Sequence, residues 1–397
     1  MSIFTKYGVS TIINVTGSST RVGGSIMRPE VVAAMAEAST ESVNMVELQA
    51  AASIVIANLT GAESGYVTSG AAAGLTLGAS AIMAGFDLLT MDRLPDSDGI
   101  RNEFIISREH RNGYDHALRA SGAVLAEVGM NEQLAGAGVR RTESWEYEAA
   151  ITENTAGIFY AVTSSSRPPL EEILTIAHSY ECPVLVDAAA QLPPASNLRH
   201  FIDVGADLVV FSGGKALKGP QSAGIICGKR DLIASVALQN LDMDEHFEFW
   251  DPPDNLIPKS SLKGLPRHGI GRGYKVTKET IIGLLEALDL FSAENNVKES
   301  LEQQEYLEYL ADSLSDLPIN TQIVMGEQES YPMLHINLDS EISNRSSHKI
   351  NIELKRGDPR IFVNEELLDE NTLVIHPINL NKPLTESLAQ RLRDVFK

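Results

Sequence analysis

The sequence predicts an α/β protein whose large domain is built on a mostly parallel, doubly wound, seven-stranded sheet. Between residues 65 and 228, short runs of β-branched and aromatic residues alternate with stretches whose apolar residues recur at helical spacing. A chain of 397 residues also exceeds one small domain, so a large α/β core with a smaller domain is expected. We predict an N-terminal arm over 1–30, a large domain over 31–285 and a smaller α+β domain over 286–397.

The predicted elements of the arm and the large domain follow in chain order. Gly, Ser and Thr are frequent in residues 16–25, which indicates an extended arm. Pro29, near the start of 27–39, predicts a helix there, and a second helix is predicted over 46–60. The stretch 169–180 is typical of the helices that separate the strands. The seven predicted strands are GYVTS (65–69), EFIIS (103–107), AVLAEVG (123–129), GIFYAVT (157–163), VLVDAA (184–189), DLVVFS (207–212) and AGIICG (223–228).

The residues that follow the predicted sheet are of a different kind. Region 241–275 is dense in Pro, Gly, aromatic and charged residues, as functional loops and partly ordered linkers are. We expect 241–268 to form a lid over the substrate. A long amphipathic helix over about 277–315 is predicted to join the two domains. The small domain is expected to contain strands near NTQIVM, MLHINLD, RIFVN and TLVIHPI, and a closing helix over 384–396.

Composition narrows the classes of partner. The formal net charge is −21, from 53 acidic and 32 basic residues, which disfavours a nucleic-acid partner because such binding relies on clustered Lys and Arg. The two cysteines, Cys182 and Cys227, form no metal-ligand pattern, so we expect neither a disulfide nor a metal site. No apolar stretch reaches membrane-spanning length and no signal peptide is recognisable at the N-terminus. A cytoplasmic protein is expected.

An acid and a lysine follow two neighbouring strands of the predicted sheet. Asp187 ends the run VLVD, and Lys215 follows the strand that ends at Ser212, after a Gly-Gly turn. The carboxyl ends of parallel strands meet at one edge of a sheet, so both side chains should lie at that edge. Pyridoxal phosphate needs such a pair: a lysine that forms the Schiff base and an acid that keeps the pyridine nitrogen protonated. Lys218 competes with Lys215, which we favour because of the preceding glycines and the Ser-x-x-Lys spacing.

Other residues predict the rest of a cofactor site. TSGAAAG opens a helix at the end of the first strand, so the N–H groups of Gly70 and Ala71 and the hydroxyl of Ser69 are expected to bind the phosphate. Ser212 is expected to reach the same phosphate. His110 follows the strand EFIIS, where an imidazole can stack on the cofactor ring. Ala189 is expected to lie against the opposite face of the ring. The residues expected to bind the substrate's carboxylate or phosphate are Arg272, Lys275 and Arg360.

With these residues in place, the chain resembles the fold-type I pyridoxal-phosphate enzymes related to selenocysteine synthase. Within that group it is similar to the D-glucosaminate-6-phosphate ammonia-lyases. The resemblance covers most of 1–290 in collinear order and is loose in the C-terminal domain. The segments that carry it are INVTGSSTRVGGS (13–25), ELQAAASIVIANLTGAESGYVTSGAAAG (47–74), REHRNGYDHALRASGA (108–123), VDAAAQLPP (186–194), FSGGKALKGPQSAGIICGKRDLI (211–233) and GIGRGYKVTKE (269–279).

The resemblance implies a role for each matched residue. Lys215 would form the Schiff base, Asp187 would face the pyridine nitrogen and His110 would stack on the ring. It also implies a homodimer or a larger even-numbered oligomer with the active site at the subunit interface. The bacterial selenium transferases carry an additional N-terminal tRNA-binding domain, whereas the shared segment begins at about residue 13 here, so a tRNA substrate is not expected. The residues implied for the phosphate cup are Ser69, Gly70, Ala71 and Ser212.

The expected activity is elimination of ammonia from a hydroxylated amino acid, with a phosphorylated amino-sugar acid as the favoured substrate. Lys215 would take the α-proton, and His110 or His268 would be the general acid. Arg360 would bind the carboxylate, and Arg272 or Lys275 a distal phosphate. The alternatives with the same cofactor are an aldolase, a racemase, or a sulfur or selenium transferase acting on an amino acid. A non-catalytic binding protein with this fold is a further alternative.

Overall fold

The computed structural model describes residues 2–130, 141–326, 331–338 and 346–396. Within them the strands are β1 (Ile12–Val15), β2 (Ser64–Thr68), β3 (Glu103–Ser107), β4 (Val124–Val128), β5 (Thr155–Ala161), β6 (Val184–Asp187), β7 (Leu208–Ser212), β8 (Gly224–Gly228), β9 (Asn320–Met325), β10 (Pro332–Asn337), β11 (Arg360–Val363) and β12 (Thr372–Ile375). The α-helices are α1 (Ile3–Lys6), α2 (Pro29–Ala38), α3 (Met45–Thr60), α4 (Gly70–Ala84), α5 (Leu88–Arg93), α6 (His116–Ala120), α7 (Ser144–Ala150), α8 (Leu170–Ser179), α9 (Asn197–Asp203), α10 (Arg230–Asn240), α11 (Lys278–Asp289), α12 (Ala293–Ser313), α13 (Ser347–Arg356) and α14 (Lys382–Phe396).

One compact unit comprises the described parts of Met27–Leu192 and Ser196–Asp289, and it contains the seven-stranded sheet. The strand order is β2-β8-β7-β6-β5-β3-β4, and β8 runs antiparallel to both of its neighbours while the other paired strands are parallel. The predicted α/β class and all seven predicted strands are confirmed, with ends that differ by at most two residues. The strands were recognisable because parallel strands covered on both faces read as continuous β-branched runs.

Helix α4 lies at the centre of this unit. Nearly all of its residues from Ala73 onward are buried, as expected for an Ala/Gly-rich helix that is apolar all round. Its glycines allow it to approach the sheet closely: a Cβ at Gly74 would lie 3.1 Å from Val210, and one at Gly78 would lie 3.0 Å from Ile226. This close packing fixes the N-terminal end of α4 at the edge where the parallel strands end.

The sheet register aligns several strand ends at that edge. Thr68 at the end of β2 and Ser212 at the end of β7 both pair with Gly224, the first residue of β8. Asp187, at the end of β6, pairs with Val210 on β7 and with Ala161 on β5. The segments that follow these strands therefore leave the same edge of the sheet.

The other compact unit comprises the described parts of Met1–Ile26, Pro193–Ala195 and Leu290–Lys397. It contains an antiparallel sheet in the order β12-β10-β9 and a parallel pair of β1 and β11. The predicted α+β class is confirmed for its C-terminal part, whose four predicted strands and closing helix are present; Asp339, at the end of the predicted strand MLHINLD, lies outside the described residues. Within the predicted arm, β1 forms a half-buried strand in place of extended coil.

The prediction of one long helix over 277–315 is wrong. The chain forms α11 and α12 with a break at 290–292. Ser292 caps the second helix, since its Oγ accepts a hydrogen bond from the Asn295 N–H at 3.1 Å. The Asn295 side chain in turn donates to the Leu290 carbonyl at 2.8 Å, which satisfies a backbone group at the break.

Region 241–277 contains no α-helix or strand, all of its residues being described; it has 3₁₀ turns at Lys259–Ser261 and Ile270–Tyr274. The prediction of an irregular segment is confirmed, and its role as a lid stays a prediction. Across the described ranges, no helix combines the length and the apolar character that crossing a bilayer requires.

Candidate active site

Asp187 stands at the carboxyl end of β6, where it is half-buried after three fully buried residues. Its Oδ1 accepts a hydrogen bond from the Ala189 N–H at 3.0 Å. Burial raises the pKa of Asp187, and this effect outweighs the hydrogen bond and the positive charge of Lys215, which both lower it. A desolvated carboxylate of this kind is stabilised by a cationic partner.

Lys215 lies in a tightly bonded loop that follows β7. The Gly213 N–H donates to the Ala223 carbonyl at 2.8 Å, and the Gly219 N–H donates to the Gly213 carbonyl at 3.0 Å. Gly214 is required by close approach, since a Cβ there would lie 2.6 Å from backbone atoms of Gln221. The loop thus fixes the backbone on both sides of the lysine.

The lysine and the acid influence each other's protonation. Burial lowers the pKa of Lys215, and the charge of Asp187 opposes that change. Because desolvation favours the neutral form of both groups, the amine is closer to the neutral state that a nucleophile or base requires. The structure therefore brings together the two residues that the sequence predicted as the centre of the site.

The start of α4 supplies free hydrogen-bond donors beside this pair. Ser69, Gly70 and Ala71 are all partly exposed, and the N–H groups of the first helical turn have no partner within the helix. No side-chain cap is formed by the Ser69 hydroxyl within the described chain. Ser212, which pairs with Gly224 on the neighbouring strand β8, is also partly exposed. The N-terminus of a helix favours an anion.

Gly224 packs against the turn that we expect to bind the cofactor's phosphate, and its replacement should weaken cofactor binding. A Cβ at Gly224 would lie 2.4 Å from the Gly70 carbonyl carbon and 2.6 Å from the Ala71 nitrogen. Displacing that backbone costs about 1–3 kcal/mol, so Gly224→Ala should raise the Kd for pyridoxal phosphate about tenfold in a spectroscopic titration. Gly264→Ala is the control, because its Cβ would meet only Leu88 at 3.8 Å. Equal affinities in the two variants would contradict this assignment.

His110 lies in the 3₁₀ turn Arg108–His110 directly after β3, and it is only 3% exposed. Its ring packs edge-on against Tyr160 of β5, with centroids 4.6 Å apart and an interplanar angle of 73°. Neither ring nitrogen has a hydrogen-bond partner among the described residues. Burial lowers the pKa of His110 to about 4, so the imidazole is neutral at pH 7.

This depressed pKa predicts a pH-dependent contribution to stability. Below the unfolded-state pKa of about 6.5 the unfolded chain binds the proton first, so His110 destabilises the fold as the pH falls towards 4. Between pH 7 and pH 5.5 the wild-type protein should lose about 1 kcal/mol of unfolding free energy more than His110→Phe does. Urea denaturation of both apoproteins at the two pH values measures this difference, and parallel losses would show that His110 is not buried in its neutral form.

The remaining predicted residues of the large unit lie nearby or in one cavity. Ala189 is partly exposed and follows Asp187. Arg272 and Lys275 line a cavity of about 320 Å³, in which the Arg272 Nη2 lies 2.5 Å from the Asp242 carboxylate. Its other lining residues are Met45, Gln49, Tyr66, Asn240, Leu241, Val276, Thr277 and Lys278.

Arg360 belongs to the other compact unit, at the first position of β11. It is exposed, its Nε donates to the Lys355 carbonyl at 3.0 Å, and its guanidinium lies over the Phe362 ring at 5.5 Å. Its role with the substrate stays a prediction.

Two residues that sequence reasoning missed support the site. Arg28, at the start of α2, donates from Nη1 to the Leu217 carbonyl at 3.1 Å and so holds the Lys215 loop. The side-chain amide of Gln191 donates to the Val162 carbonyl at 2.8 Å, which ties the segment after β6 to the end of β5. Arg28 precedes the loop by 189 residues, so no local pattern could have connected them.

The residues present fit a planar pyridine cofactor that bears a phosphate. The buried carboxylate suits a protonated ring nitrogen, the lysine suits an aldehyde and the free N–H groups of α4 suit the phosphate. The unpartnered nitrogens of His110 mark a buried polar ring at the same sheet edge.

Comparisons with known proteins agree with this geometry. The family described as "SelA: L-seryl-tRNA selenium transferase" matches residues 12–243. The 5'-C-glycyluridine monooxygenase-decarboxylase of a Streptomyces species is 30% identical over 98% of this chain and 90% of the relative. The D-glucosaminate-6-phosphate ammonia lyase of Salmonella typhimurium is 24% identical over 99% of this chain and 98% of the relative.

A solved structure of D-glucosaminate-6-phosphate ammonia-lyase shares the fold. Its TM-score is 0.81 at 24% identity, and the superposition covers 100% of this chain and 98% of the other. The family match spans more than half of the chain, and it confirms both the resemblance and the cofactor that the sequence predicted. The chain therefore belongs to the L-seryl-tRNA selenium transferase family, and it is a pyridoxal-phosphate enzyme of fold type I.

Proposed function

We propose that this protein is an ammonia-lyase that converts a phosphorylated amino-sugar acid, similar to D-glucosaminate 6-phosphate, into a 2-keto-3-deoxy acid. The observation that carries the proposal is the half-buried pair of Asp187 and Lys215, each with its pKa displaced by desolvation towards the neutral form. The Salmonella relative, similar over nearly the whole chain, supports the choice of substrate. The overall reaction needs no oxidant. The substrate loses one molecule of water in the elimination, and one molecule of water then hydrolyses the resulting imine to the keto acid and ammonia.

Pyridoxal phosphate, when bound, supplies an electron sink for the bond broken at the substrate's α-carbon. Asp187 would hold the proton on the pyridine nitrogen, and its buried position makes that charge pairing strong. Lys215 would bind the cofactor and later take the α-proton at Nζ, as its lowered pKa permits. His110 would pack on the ring, and its neutral state at pH 7 favours this role over proton donation.

His268 is then the remaining candidate for the general acid. Its Nε2 lies 3.5 Å from the Asp244 carboxylate, a contact that would orient the imidazole ring. The hydroxyl that leaves from the substrate would take its proton from this imidazole.

The substrate's anionic groups need cations. Arg272 and Lys275 line the same cavity and would bind the distal phosphate, although Arg272 must exchange its ion pair with Asp242 to do so. Arg360 would bind the carboxylate.

We also propose that the enzyme is a homodimer or a larger even-numbered oligomer and that it acts in the cytoplasm on a small molecule.

A second candidate function is oxidative decarboxylation of a glycyl group attached to a nucleoside. The Streptomyces monooxygenase-decarboxylase, 30% identical over 98% of this chain, favours it. Asp187 and Lys215 would act at the same positions, since both reactions begin at an α-carbon that bears an amine. This reaction consumes dioxygen and releases carbon dioxide, whereas the lyase reaction does neither.

The two candidates are separated by their products. The holoenzyme is incubated separately with D-glucosaminate 6-phosphate and with 5'-C-glycyluridine while ammonia, keto acid, dissolved oxygen and carbon dioxide are followed, with Lys215→Ala as the blank. Equal amounts of ammonia and keto acid from the first compound, with no oxygen uptake, are the expected result. Oxygen uptake with the second compound and no products from the first would overturn the lyase proposal in favour of the second candidate. Inertness towards both would reject both substrates.

A further inference from the structure

The exits of β3 and β5 are joined by an ion-pair network that the proposed reaction does not use. Its members are Glu109, which directly precedes His110, and the pair Arg141 and Thr142, and we refer to these three residues as the Glu109 clamp. The Glu109 side chain is 15% exposed, so its charge is largely desolvated and needs close partners.

Both carboxylate oxygens of Glu109 are engaged. Oε1 accepts the Thr142 backbone N–H at 2.9 Å and the Thr142 hydroxyl at 3.3 Å. Oε2 forms a charge-assisted pair with the Arg141 guanidinium. Although burial alone would raise it, these hydrogen bonds from Arg141 and Thr142 hold the pKa of Glu109 below its usual value. The carboxylate is therefore ionised at neutral pH and fully used as an acceptor.

The clamp contacts the exits of two strands, β3 and β5. The Thr142 hydroxyl lies 2.7 Å from the hydroxyl of Ser107, the last residue of β3. The Arg141 Nη2 donates to the Ser165 carbonyl at 2.5 Å, in the segment that follows β5. Asp187 lies at the end of β6, the strand adjacent to β5. The clamp thus joins the two segments that flank the site on the His110 side.

The His110 side chain is held by packing alone, without a hydrogen bond from its ring to any described residue. Its ring nitrogens bind no group among residues the structure describes, and its identified ring contact is the edge-on packing with Tyr160. Because no hydrogen bond to the described chain fixes the buried ring, its position depends on packing and on the backbone of the turn, which Glu109 holds from one side. On the other side, the Asn112 side chain donates to the His110 carbonyl at 3.2 Å.

We propose that Glu109 is a positioning residue that fixes the turn carrying His110 and so holds the imidazole against the bound cofactor. The inference rests on the role of His110 in the proposed function. A merely structural ion pair would stabilise the fold without a specific effect on the cofactor's surroundings. A positioning residue must change those surroundings, and only through His110.

The test uses the holoenzyme and the visible circular dichroism of its bound cofactor, together with the Kd for pyridoxal phosphate. Glu109→Gln keeps an acceptor for the Thr142 N–H but loses the ionic pair with Arg141. We expect a reduced dichroic band and about a tenfold higher Kd, since one charge-assisted hydrogen bond is lost. Arg141→Gln breaks the same pair from a more exposed residue, so it should fold normally and change the band in the same direction.

Glu127→Gln is the matched control. Glu127 pairs with Arg108 at 3.1 Å and with Arg111, the residues that flank Glu109 and His110, but it lies on β4 and has no contact with the clamp among the described hydrogen bonds. It removes the same charge beside the same turn, but its partners are side chains that are 52% and 32% exposed, and such pairs hold the backbone weakly, so the band should stay unchanged.

The decisive comparison repeats the substitutions in a His110→Ala background. There Glu109→Gln should change the Kd by less than about twofold, because the residue it positions is gone. A wild-type band in Glu109→Gln, or an equal effect with and without His110, would overturn the proposal. The readout is independent of turnover, so a failure of the lyase assignment would leave this result interpretable.

Discussion

Replacing Lys215 by alanine should lower turnover at least about a thousandfold and abolish the visible absorbance of the lysine-bound cofactor. The side chain is expected both to bind pyridoxal phosphate and to take the α-proton, and a positioned general base alone contributes about 10²–10⁴. The buried amine with its lowered pKa suits both tasks. Steady-state rates and absorption spectra of the purified variant measure the two effects.

Lys218 provides the matched control for this variant. It lies three residues further along the same loop and adopts a positive φ of 54°, so Lys218→Asn is the gentlest replacement, since asparagine tolerates that conformation. We expect this variant to keep turnover within about threefold, because Lys218 has no role in the proposed chemistry and a threefold change corresponds to less than about 1 kcal/mol. A variant at Lys218 that behaves like Lys215→Ala, with Lys215→Ala still active, would show that the assignment is reversed.

Replacing Asp187 by asparagine should lower kcat about a hundredfold to a thousandfold while the cofactor still binds. The amide oxygen can still accept the Ala189 N–H, so the local backbone is kept, but the negative charge that opposes the ring nitrogen is lost. Removing one partner of a buried charge pair costs about 3–5 kcal/mol, and here that loss falls on the protonated ring. The ratio of kcat values in holoenzyme saturated with cofactor tests this expectation.

Asp203→Asn is the control for that variant. Asp203 is also in the large unit, but its side chain is 60% exposed and its ion pair with Arg199 is 4.0 Å long. Such surface pairs contribute little, so this variant should match the wild type. An Asp187→Asn enzyme with wild-type kcat would contradict the role of Asp187 at the ring nitrogen.

The strand ends of the site could be predicted from the sequence because each belongs to a continuous pattern. Buried parallel strands read as unbroken β-branched runs, so the residues that end them, Asp187 and Ser212, were identifiable by position alone. The start of α4 was recognisable from its small residues after a strand. These patterns are local. Because parallel strands end at the same edge of a sheet, the residues at their ends come together there without any long-range signal in the sequence.

Residues that act across long sequence separations could not be predicted in this way. Gly224 matters because the register of β8 brings it against the start of α4, which no pattern around residue 224 reveals. Arg28 donates a hydrogen bond to the loop of Lys215 although it lies 189 residues earlier in the sequence than its partner, Leu217. In the sequence, nothing distinguishes Glu109 from a surface acid, since its ion-pair partner Arg141 is recognisable only in the fold.

Two predictions were wrong although the local sequence contained a sign of the correct structure: the single helix over 277–315 and the extended arm at Ile12–Val15. The amphipathic pattern continues through the break between α11 and α12, and it hid Ser292, a capping residue followed by an acidic first turn. The short, mostly β-branched run Ile12–Val15 directly precedes the Gly-, Ser- and Thr-rich segment 16–25, and that segment favoured an extended arm over the strand that pairs with β11.

The central claim is that Lys215 binds the cofactor beside Asp187, and covalent trapping tests it most directly. Reducing the holoenzyme with borohydride fixes the cofactor to its lysine, and peptide mass spectrometry then locates the modification. We predict a pyridoxyl group on Lys215 alone, and its yield should fall to background in Lys215→Ala. A modified Lys218, or no modified lysine in an enzyme that still turns over, would contradict the account.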